Sequence, residues 1–373
     1  MKVVIHVDGE DVRGNERQAL LIATGLRARG HDVAVSCRAR GPVRDALERA
    51  GVRTTGIRPR GDADPLNGLA FTAWLRRERP DAVLLTSWKR LFGASLAARA
   101  AGVPRIVFRL GGPQEIPPRG ASAWKKRRAF RRQIDVVVAN SPDIRRIVGK
   151  MAPFFPADRV HVVLNAVPPA AAAPAELRRE IGAAADEVVL LSVGTLAAHK
   201  RFGVLLEAFA TLSADVRLAI VGDGPLRGEL EDAARRLGVG ARVHLLGARE
   251  DVPGLMAAAD AFVLASRRDS LPNAMLEAMA AGLPTVAAEF MGARSALGAT
   301  AERSAAGWVV PVDQAEALAT ALAEVVAGIR AGAPEVRARA AEARWRAEHW
   351  FGPERMVDGY EAVLAGRPVP DAP

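Results

Sequence analysis

The sequence predicts an α/β protein built from two doubly wound, Rossmann-like domains, each with a parallel sheet. Three observations predict this fold class. In both halves of the chain, short apolar runs alternate with longer helical stretches, which is the pattern of buried parallel strands and crossover helices. A Pro/Ala-rich segment at residues 166–175 separates the two series. The 373 residues also suffice for two domains with large cores. We expect the two sheets to face a central cleft.

The first predicted domain comprises residues 1–165. Its strands are predicted from the apolar runs KVVIHV, DVAVSC, DAVLLTS, RIVFRL and DVVVANS, in that order. Helices are predicted from ERQALLIATGLRARG, between the first two runs, and from PVRDALERAG, after the second. This order of elements is that of a parallel sheet.

The second predicted domain comprises residues 176–349. Its strands are predicted from EVVLLSVG, VRLAIVGDG, RVHLLG, DAFVLAS and PTVAA. From Pro334 onwards the chain is strongly helical, with a break near Gly352 and Pro353. We expect the last residues, RPVPDAP, to be frayed.

Composition and charge restrict the class of protein. Cys37 is the only cysteine, which excludes an intrachain disulfide and fits a reducing compartment. The N-terminus reaches charged residues too early for a secretory signal, and no window resembles a membrane span. These features favour a cytoplasmic protein.

The net charge of +10 is divided unevenly along the chain. Residues 1–165 contain 31 Lys and Arg against 15 Asp and Glu, a net charge of +16, whereas the remainder has a net charge of −6. The asymmetry indicates that the first half faces an anionic partner. Anionic lipid, a phosphorylated acceptor and nucleic acid are all candidates.

The segment 262–288 is typical of a strand, a polar loop, a helix, a tight turn and a second strand. Asp269 is expected in the loop, Pro272 in the first helical turn and Glu277 one turn further on. Asn273 lies four residues before Glu277 and shares its helix face. Taken singly, Asp269 is more often a helix cap and Glu277 a solvated helix acid.

Two further segments place polar or flexible groups at strand ends. In VGTLAAHKRFGVLLEAFA, residues 193–210, Lys200 immediately precedes an amphipathic helix, where a lysine and free helix N–H groups can hold a diphosphate. A solvated surface lysine is the ordinary alternative. In the loop DGEDVRGNER after the first strand, Gly14 allows a ligand to approach the backbone closely, or it is simply a turn glycine.

Together these strings closely resemble the retaining nucleotide-sugar glycosyltransferases of family 4, of the group 1 type, which have the two-domain GT-B fold. The characteristic string is an acid, seven residues and a glutamate, and here it runs from Asp269 to Glu277. The tail string WFGPERMVDGYEAVL, about residues 350–366, resembles the helix that crosses back onto the first domain in relatives. The resemblance covers most of the chain and is strongest over residues 186–312.

The resemblance implies a role for each matching residue. Asp269 would contact the donor sugar hydroxyls and Glu277 the nucleotide ribose, with Lys200 on the diphosphate; Asp269 and Lys200 are the candidate catalytic residues. No metal or other cofactor is implied. The candidate donor-binding residues are Gly14, Gly194, Lys200, Asp269, Leu271, Pro272, Asn273 and Glu277. The donor would be a UDP- or GDP-sugar, and the acceptor a glycan, lipid-linked or phosphorylated molecule bound by the first domain.

This chain departs from the family pattern at several positions. Asp269 stands where many members have Glu, and Thr195 follows Gly194 where members commonly have Arg. Arg201 or His199 could replace that missing positive charge. Leu110 lies where many relatives carry a His, and Arg109 is the nearest polar candidate. Arg109 either stabilises charge in the cleft or is tethered to Glu115.

The run SAWKKRRAFRRQ, residues 122–133, combines six basic residues with two aromatic ones. On a helix it could lie on an anionic membrane surface or bind phosphate, and it could instead be a solvated cationic helix. The candidate acceptor or membrane residues are Arg109, Trp124, Lys125, Lys126, Arg127 and Arg128. The triplet Asp62–Asp64 spells the DxD of metal-dependent glycosyltransferases, but its Gly/Pro context favours a loop, and no metal site is predicted.

The sequence therefore predicts a metal-independent glycosyltransferase of cell-surface glycan or lipopolysaccharide biosynthesis, acting with retention, with no nucleic-acid partner. It would be cytoplasmic or peripheral on the inner face of the cell membrane. The alternatives are a degenerate GT-B protein that binds anionic lipid or nucleic acid without catalysis, a sugar-nucleotide epimerase and a glycan phosphorylase. The last two lack their own expected motifs.

Overall fold

The computed structural model describes residues 1–9, 14–59, 61, 64–117, 119–170, 173–300 and 303–370. Its chain divides into two compact units. The first unit is Met1–Ala166 with Pro353–Pro373, and the second is Val167–Gly352. Each unit contains one parallel sheet.

The described strands follow the chain in two series, one for each unit. They are β1 Lys2–His6, β2 Asp32–Ser36, β3 Arg53–Thr55, β4 Ala82–Leu85, β5 Arg105–Leu110, β6 Val136–Ala139, β7 Val160–Val162, β8 Val188–Val193, β9 Val216–Val221, β10 Val243–Gly247, β11 Ala261–Leu264, β12 Thr285–Ala288 and β13 Trp308–Val310.

Helices connect most of these strands. They are α1 Gly14–Ala28, α2 Pro42–Arg49, α3 Pro65–Glu78, α4 Leu91–Ala100, α5 Ala121–Arg132, α6 Pro142–Met151, α7 Leu177–Glu180, α8 Phe202–Ala210, α9 Arg227–Arg236, α10 Val252–Ala258, α11 Asn273–Ala280, α12 Ala293–Leu297, α13 Ala315–Arg330, α14 Pro334–His349 and α15 Pro353–Ala365.

The first unit has the strand order β3-β2-β1-β4-β5-β6-β7, with every pairing parallel. Alternate residues of β1 enter different cores: Val4 packs on one face of the sheet, and Val3 and Ile5 pack on the other. Both faces are therefore covered, as the uniformly apolar strand sequences require.

The C-terminal helix α15 belongs to the first unit, although 186 residues of the second unit precede it. It packs against α1, and its residues Met356, Val357 and Tyr360 join the core that contains Val3 and Ile5. The tail helix is thus part of the first hydrophobic core.

The second unit has the strand order β10-β9-β8-β11-β12-β13. One face of this sheet packs in a large hydrophobic core, and the alternate strand residues, such as Leu191 and Phe262, are buried on the other face.

In α14, the fully buried Arg346 donates to Glu342 Oε1 at 2.7 Å. The same guanidinium also donates to the main-chain oxygens of Ala296, Gly298 and Ser304, at 2.9, 2.8 and 2.6 Å. These bonds compensate for its burial and fix the segment that follows β12.

The predicted α/β fold with two parallel sheets is confirmed, and each predicted apolar run forms a strand. Three strands were missed: β3, β7 and β13. Each has three residues and lies at the edge of its sheet. Such short strands carry too little periodicity to be recognised, and their pairing depends on the neighbouring strand.

One buried polar pair lies at the end of β1. His6 is fully buried, with Nδ1 3.2 Å from Ser36 Oγ and its ring 5.6 Å from that of Phe71. Burial lowers the pKa of His6 to about 4; the carboxylate of Asp8 opposes this shift, and the nearby Arg58 adds to it. His6 is therefore neutral in the folded protein near pH 7.

We expect His6 to make stability pH-dependent on the acid side. Since its pKa is below the usual 6.5 when folded, the unfolded chain binds the proton first, and stability falls as the pH drops from 6.5 towards 4. Between about pH 7 and about pH 5 the loss in unfolding free energy should be about 2 kcal/mol, and His6→Asn should lack it. Urea unfolding at both pH values measures this.

The control for this prediction is His349→Asn, at an exposed histidine of α14. It should retain the wild-type pH dependence. An equal pH dependence in wild type and His6→Asn would contradict the assignment to His6.

Candidate active site

The strand order of the second unit places a switch point between β8 and β11. Strands β9 and β10 follow on one side of this point, and β12 and β13 on the other. In open α/β sheets, ligands bind beyond the carboxyl ends of the strands at such a point, because the following loops diverge there. Lys200 lies in the loop after β8, and Asp269 lies in the loop after β11.

Lys200 and Asp269 form an ion pair at this switch point. Lys200 Nζ donates to Asp269 Oδ2 at 2.8 Å, and the two side chains are 13% and 18% exposed. The loops are also joined by their backbones, since Arg267 N donates to His199 O at 2.8 Å. The fold therefore brings together the two predicted catalytic residues, which are 69 positions apart in the sequence.

Helix α11 begins just beyond Asp269. Asn273 is its first residue and Glu277 its fifth, and Glu277 is buried rather than solvated. Pro272, expected in the first helical turn, precedes the helix as its N-cap, and Leu271 is buried. The predicted donor-binding residues of this segment thus surround a helix N-terminus, where backbone N–H groups favour anions.

Glycines allow the loops after β8 and β9 to pack closely. Gly222 has a φ of 135°, and a Cβ at this position would lie 2.0 Å from Gly194 O. Gly194 N in turn donates to Val221 O at 2.9 Å. Side chains at Gly222 would therefore displace the loop that carries Lys200.

Of the two residues proposed above to supply a second cation, Arg201 is an ion-paired cation and His199 is uncharged near pH 7. Arg201 Nε donates to Asp313 Oδ1, and Arg267 Nε is 3.3 Å from the other oxygen of Asp313. Burial first, and then the charge of Lys200, lowers the pKa of His199, so this ring is neutral near pH 7. Arg201 is thus paired with Asp313, as Lys200 is with Asp269, and its compensation for Thr195 stays a prediction. Asp313 follows β13, a strand that the sequence analysis did not predict. Nothing in the sequence therefore indicated that Asp313 lies beside Arg201.

Arg109 in the first unit is a buried structural residue. It is 2% exposed, and its guanidinium donates to Asn15 Oδ1 and, at 2.6 Å, to Asn165 Oδ1. Burial raises the pKa of the Tyr360 hydroxyl in spite of the nearby positive charge of Arg109. The alternative tether to Glu115 is therefore wrong. Because its side chain is enclosed, Arg109 does not contact a substrate directly in this geometry.

Gly14 is the first residue of α1. Residues 10–13 of the preceding predicted loop lie outside the described residues. Asn15, which replaces the second glycine of the family string, donates through Nδ2 to Thr86 O at 3.1 Å. The start of α1 is thus tied to the end of β4.

The predicted basic helix exists as α5. Trp124 is 58% exposed, and the Arg128 guanidinium lies 5.7 Å from its ring centroid. Lys126, named above as a candidate acceptor or membrane residue, is buried: it donates to Trp88 O and lies 5.1 Å from the Trp88 ring centroid. The partly exposed Arg127 and Arg128 line a groove of about 1200 Å³ beside α5.

Neither a single membrane-spanning helix nor a metal-binding cluster is found among the described residues. No single helix among them is long and apolar enough to cross a membrane; one bent pair, Ala315–Arg330 with Pro334–Ala365, passes by length and composition alone. No group of three or more His, Cys, Asp or Glu in the described ranges could hold a metal ion. Of the triplet Asp62–Asp64, Asp62 lies outside the described residues, and Asp64 caps α3 by accepting from Asn67 N at 3.1 Å.

Comparison with known families identifies the class of protein. Residues 175–343 match the family described as glycosyl transferases group 1. Residues 13–166 match the glycosyl transferase 4-like domain. The two matches together cover most of both units, so the chain belongs to the group 1 glycosyltransferases.

Individual relatives agree with this classification. The chain is 28% identical, over 99% of its length and 100% of the relative, to the lipopolysaccharide core biosynthesis glycosyltransferase LpsE of Rhizobium meliloti. It is 27% identical, over 70% of its length and 72% of the relative, to the UDP-Gal:alpha-D-GlcNAc-diphosphoundecaprenol alpha-1,3-galactosyltransferase of Escherichia coli. The structure of Anabaena Alr3699/HepE in complex with UDP-glucose covers 98% of this chain and 100% of that one, with a TM-score of 0.81 at 22% identity. The fold is GT-B.

The Lys200–Asp269 pair leads to a prediction with opposite effects on two quantities. In Asp269→Asn, Lys200 loses a competing carboxylate, so UDP or GDP should bind roughly fivefold more tightly. The family resemblance implies that Asp269 contacts the donor sugar, so turnover of the donor should fall when this charged hydrogen-bond acceptor is replaced by a neutral amide. Calorimetric titration with the nucleoside diphosphate and a turnover assay measure the two effects.

A matched control is Asp232→Asn, at an exposed acid of α9 that pairs with Arg235. It should change neither quantity. Weaker diphosphate binding in Asp269→Asn, equal to that in Lys200→Ala, would mean that Asp269 only positions Lys200.

Proposed function

We propose that this glycosyltransferase moves a sugar from a nucleoside-diphosphate sugar to an acceptor hydroxyl, with retention of configuration. The observation that carries the proposal is the Lys200–Asp269 pair at the switch point of the second unit. An ammonium group can bind a diphosphate, and the adjacent carboxylate can accept from sugar hydroxyls. The UDP-Gal-dependent relative and the UDP-glucose complex of the structural relative support a donor of this class, with UDP or GDP as the nucleotide.

In this proposal each site residue has one task. Lys200 and the N-terminus of α11 hold the diphosphate and stabilise the charge that develops on it. Asp269 accepts from the sugar hydroxyls, and Glu277 accepts from the ribose. Because the leaving group is stabilised by these fixed charges and dipoles, the proposed reaction requires no metal ion.

The transfer would proceed on one face of the sugar. The bond from the anomeric carbon to the diphosphate oxygen breaks, and its electron pair stays on the leaving diphosphate. The acceptor oxygen bonds the same carbon, and its proton passes to the leaving phosphate oxygen. Because the acceptor attacks on the face from which the diphosphate departs, the configuration would be preserved without an enzyme nucleophile.

We further propose that the first unit binds the acceptor and that the acceptor belongs to a lipopolysaccharide or another cell-surface glycan. The positive charge of residues 1–165 supports an anionic acceptor. The relative named as a lipopolysaccharide core enzyme supports this class of product.

The donor experiment is a thermal-shift panel of UDP-, GDP- and ADP-sugars in EDTA, with wild type, Lys200→Ala and Glu277→Gln. One donor should raise the midpoint temperature of thermal unfolding of the wild type, because ligand binding stabilises the folded state. Both variants should lose that shift. The control is Glu316→Gln, at the first turn of α13. NMR of the product anomer then tests retention.

Other outcomes favour the alternatives. A product epimerised without acceptor would indicate a sugar-nucleotide epimerase. No shift with any donor, together with salt-sensitive binding of nucleic acid, would favour a degenerate protein without catalysis.

We also propose that the enzyme is peripheral on an anionic membrane surface. Within the described residues, the exposed large apolar side chains of the first unit lie on consecutive helices: Leu66 and Leu69 on α3, Leu96 on α4 and Trp124 on α5. Helices α3 and α4 pack together, as do α4 and α5. Apolar groups beside a basic helix suit an interface with anionic lipid.

Vesicle sedimentation tests the membrane proposal. Binding should require phosphatidylglycerol, and removal of one cation in Arg128→Gln should weaken it about fivefold. Arg235→Gln, at the exposed α9 pair with Asp232, is the control and should bind as wild type does. Equal binding to neutral vesicles would contradict an electrostatic attachment.

A further inference from the structure

Asp313 joins the two loops that carry Lys200 and Asp269. It lies in the turn after β13, and its Oδ1 accepts from Nε of Arg201, the residue directly after Lys200. Its Oδ2 lies 3.3 Å from Nε of Arg267, two residues before Asp269. One carboxylate therefore contacts both loops of the candidate active site from a third loop at the same edge of the sheet.

The backbone is left-handed at both ends of the Arg201–Asp313 pair. The φ angles are 55° at Arg201 and 61° at Asp313, and among the described residues Arg79 is the one further non-glycine residue with a positive φ. Such conformations are uncommon for residues with a Cβ and persist only where surrounding contacts impose them. Unlike Asp, an arginine has no short polar group that could stabilise this conformation by a local hydrogen bond. The ion pair is a contact that can impose it.

The left-handed backbone at Arg201 decides the direction of Lys200. A single 3₁₀ turn, Ala198–Lys200, ends at Arg201, which is also the N-cap of α8. Leu205 N donates to Arg201 O at 3.2 Å, so the helix is fixed on the other side of this residue. If φ of Arg201 moved to an ordinary region, the turn would rotate relative to the helix. Lys200 Nζ would then leave its position 2.8 Å from Asp269 Oδ2.

We propose that Asp313 is a positioning residue of the transfer reaction. By pairing with Arg201, it keeps the left-handed turn that directs Lys200 towards the diphosphate of the donor. The inference rests on the proposed function, because it takes the ligand of Lys200 to be a diphosphate. Asp313 itself does not touch the donor and acts through Lys200.

Calorimetric titration with UDP and with GDP is the first experiment. Asp313→Asn removes the charge of the pair but keeps a residue that tolerates the left-handed region, and it should weaken nucleotide binding about tenfold by misdirecting the lysine. Glycine adopts this region without strain. Adding Arg201→Gly to Asp313→Asn should therefore restore the affinity to within about twofold of the wild type. Arg201→Ala, which has neither the ion pair nor the freedom of glycine, should bind as weakly as Asp313→Asn.

A thermodynamic cycle with Lys200→Ala tests whether Asp313 acts through Lys200. In that background Asp313→Asn should change the nucleotide affinity by less than about twofold, because no lysine remains to be positioned. A residue that merely stabilises the fold would cause the same loss in both backgrounds. The matched control is Asp215→Asn, at an acid of the same unit that lies 2.5 Å from Arg330 Nη2. It should leave the affinity unchanged.

Acetylation of Lys200 gives a second measurement that needs no ligand. Lys200 is the only lysine in residues 167–352, so its reaction with acetic anhydride can be followed by mass spectrometry. Its side chain is ion-paired and 13% exposed, so the reaction should be slow in the wild type. It should be roughly fivefold faster in Asp313→Asn, as expected when one such pair is lost, and return to the wild-type rate when Arg201→Gly is added. The exposed Lys150 is the internal control.

Three results would overturn the proposal. The first is that Arg201→Gly fails to restore binding and slow acetylation to Asp313→Asn. The second is an equal effect of Asp313→Asn with and without Lys200. The third is a loss of binding in Arg201→Gly alone as large as in Lys200→Ala, which would make Arg201 a second cation for the donor.

The positioning role and the donor assignment can fail independently. If the wild type binds neither UDP nor GDP, the proposed donor class is rejected. The acetylation rates of Lys200 would then still support or overturn the role of Asp313.

Discussion

The parallel direction of the strands is the constraint on which the candidate active site depends. In a parallel sheet every strand ends at the same edge, so the loops that follow the strands collect there. Both faces of the first sheet are covered by hydrophobic cores, and the strand residues of the second sheet are likewise buried on both faces. Charged residues from different loops therefore meet at this edge, and the switch points are where the loops diverge enough to admit a ligand.

The same constraint separates cations that maintain the fold from cations that can act on a ligand. Arg109, Lys126 and Arg346 are enclosed and donate to carbonyl or amide oxygens, with Arg346 also bonded to Glu342. Such groups are expensive to leave unpaired, by about 3–5 kcal/mol for a broken buried pair, so their contacts are fixed. Lys200 is instead paired with a carboxylate at the edge of its sheet, where we propose that a ligand anion shares or replaces the partner.

The positive charge of the first half is found at more than one place in the first unit. One is α5, whose arginines line a groove beside the exposed Trp124. Another is the edge of the sheet, where Arg58 and Arg90 both pair with Asp8. A membrane surface would suit α5 through many weak contacts. The net charge alone does not distinguish such places.

The sequence by itself determined the fold class, the positions of the long apolar strands and the identity of the Lys200, Asp269 and Glu277 motifs. These features are local: they depend on runs of apolar residues and on short spacings that one strand and one helix impose. The three-residue edge strands could not be found this way, because their backbone is ordered by the neighbouring strand. Tertiary structure alone decided that Arg201 forms an ion pair with Asp313, that Arg109 donates to both Asn15 and Asn165, and that Lys126 is buried. It also brought Asp8, Arg58 and Arg90 together from three separate loops. Each of these contacts joins residues whose separation in sequence says nothing about their distance, since it is the register of the parallel sheet that makes them neighbours.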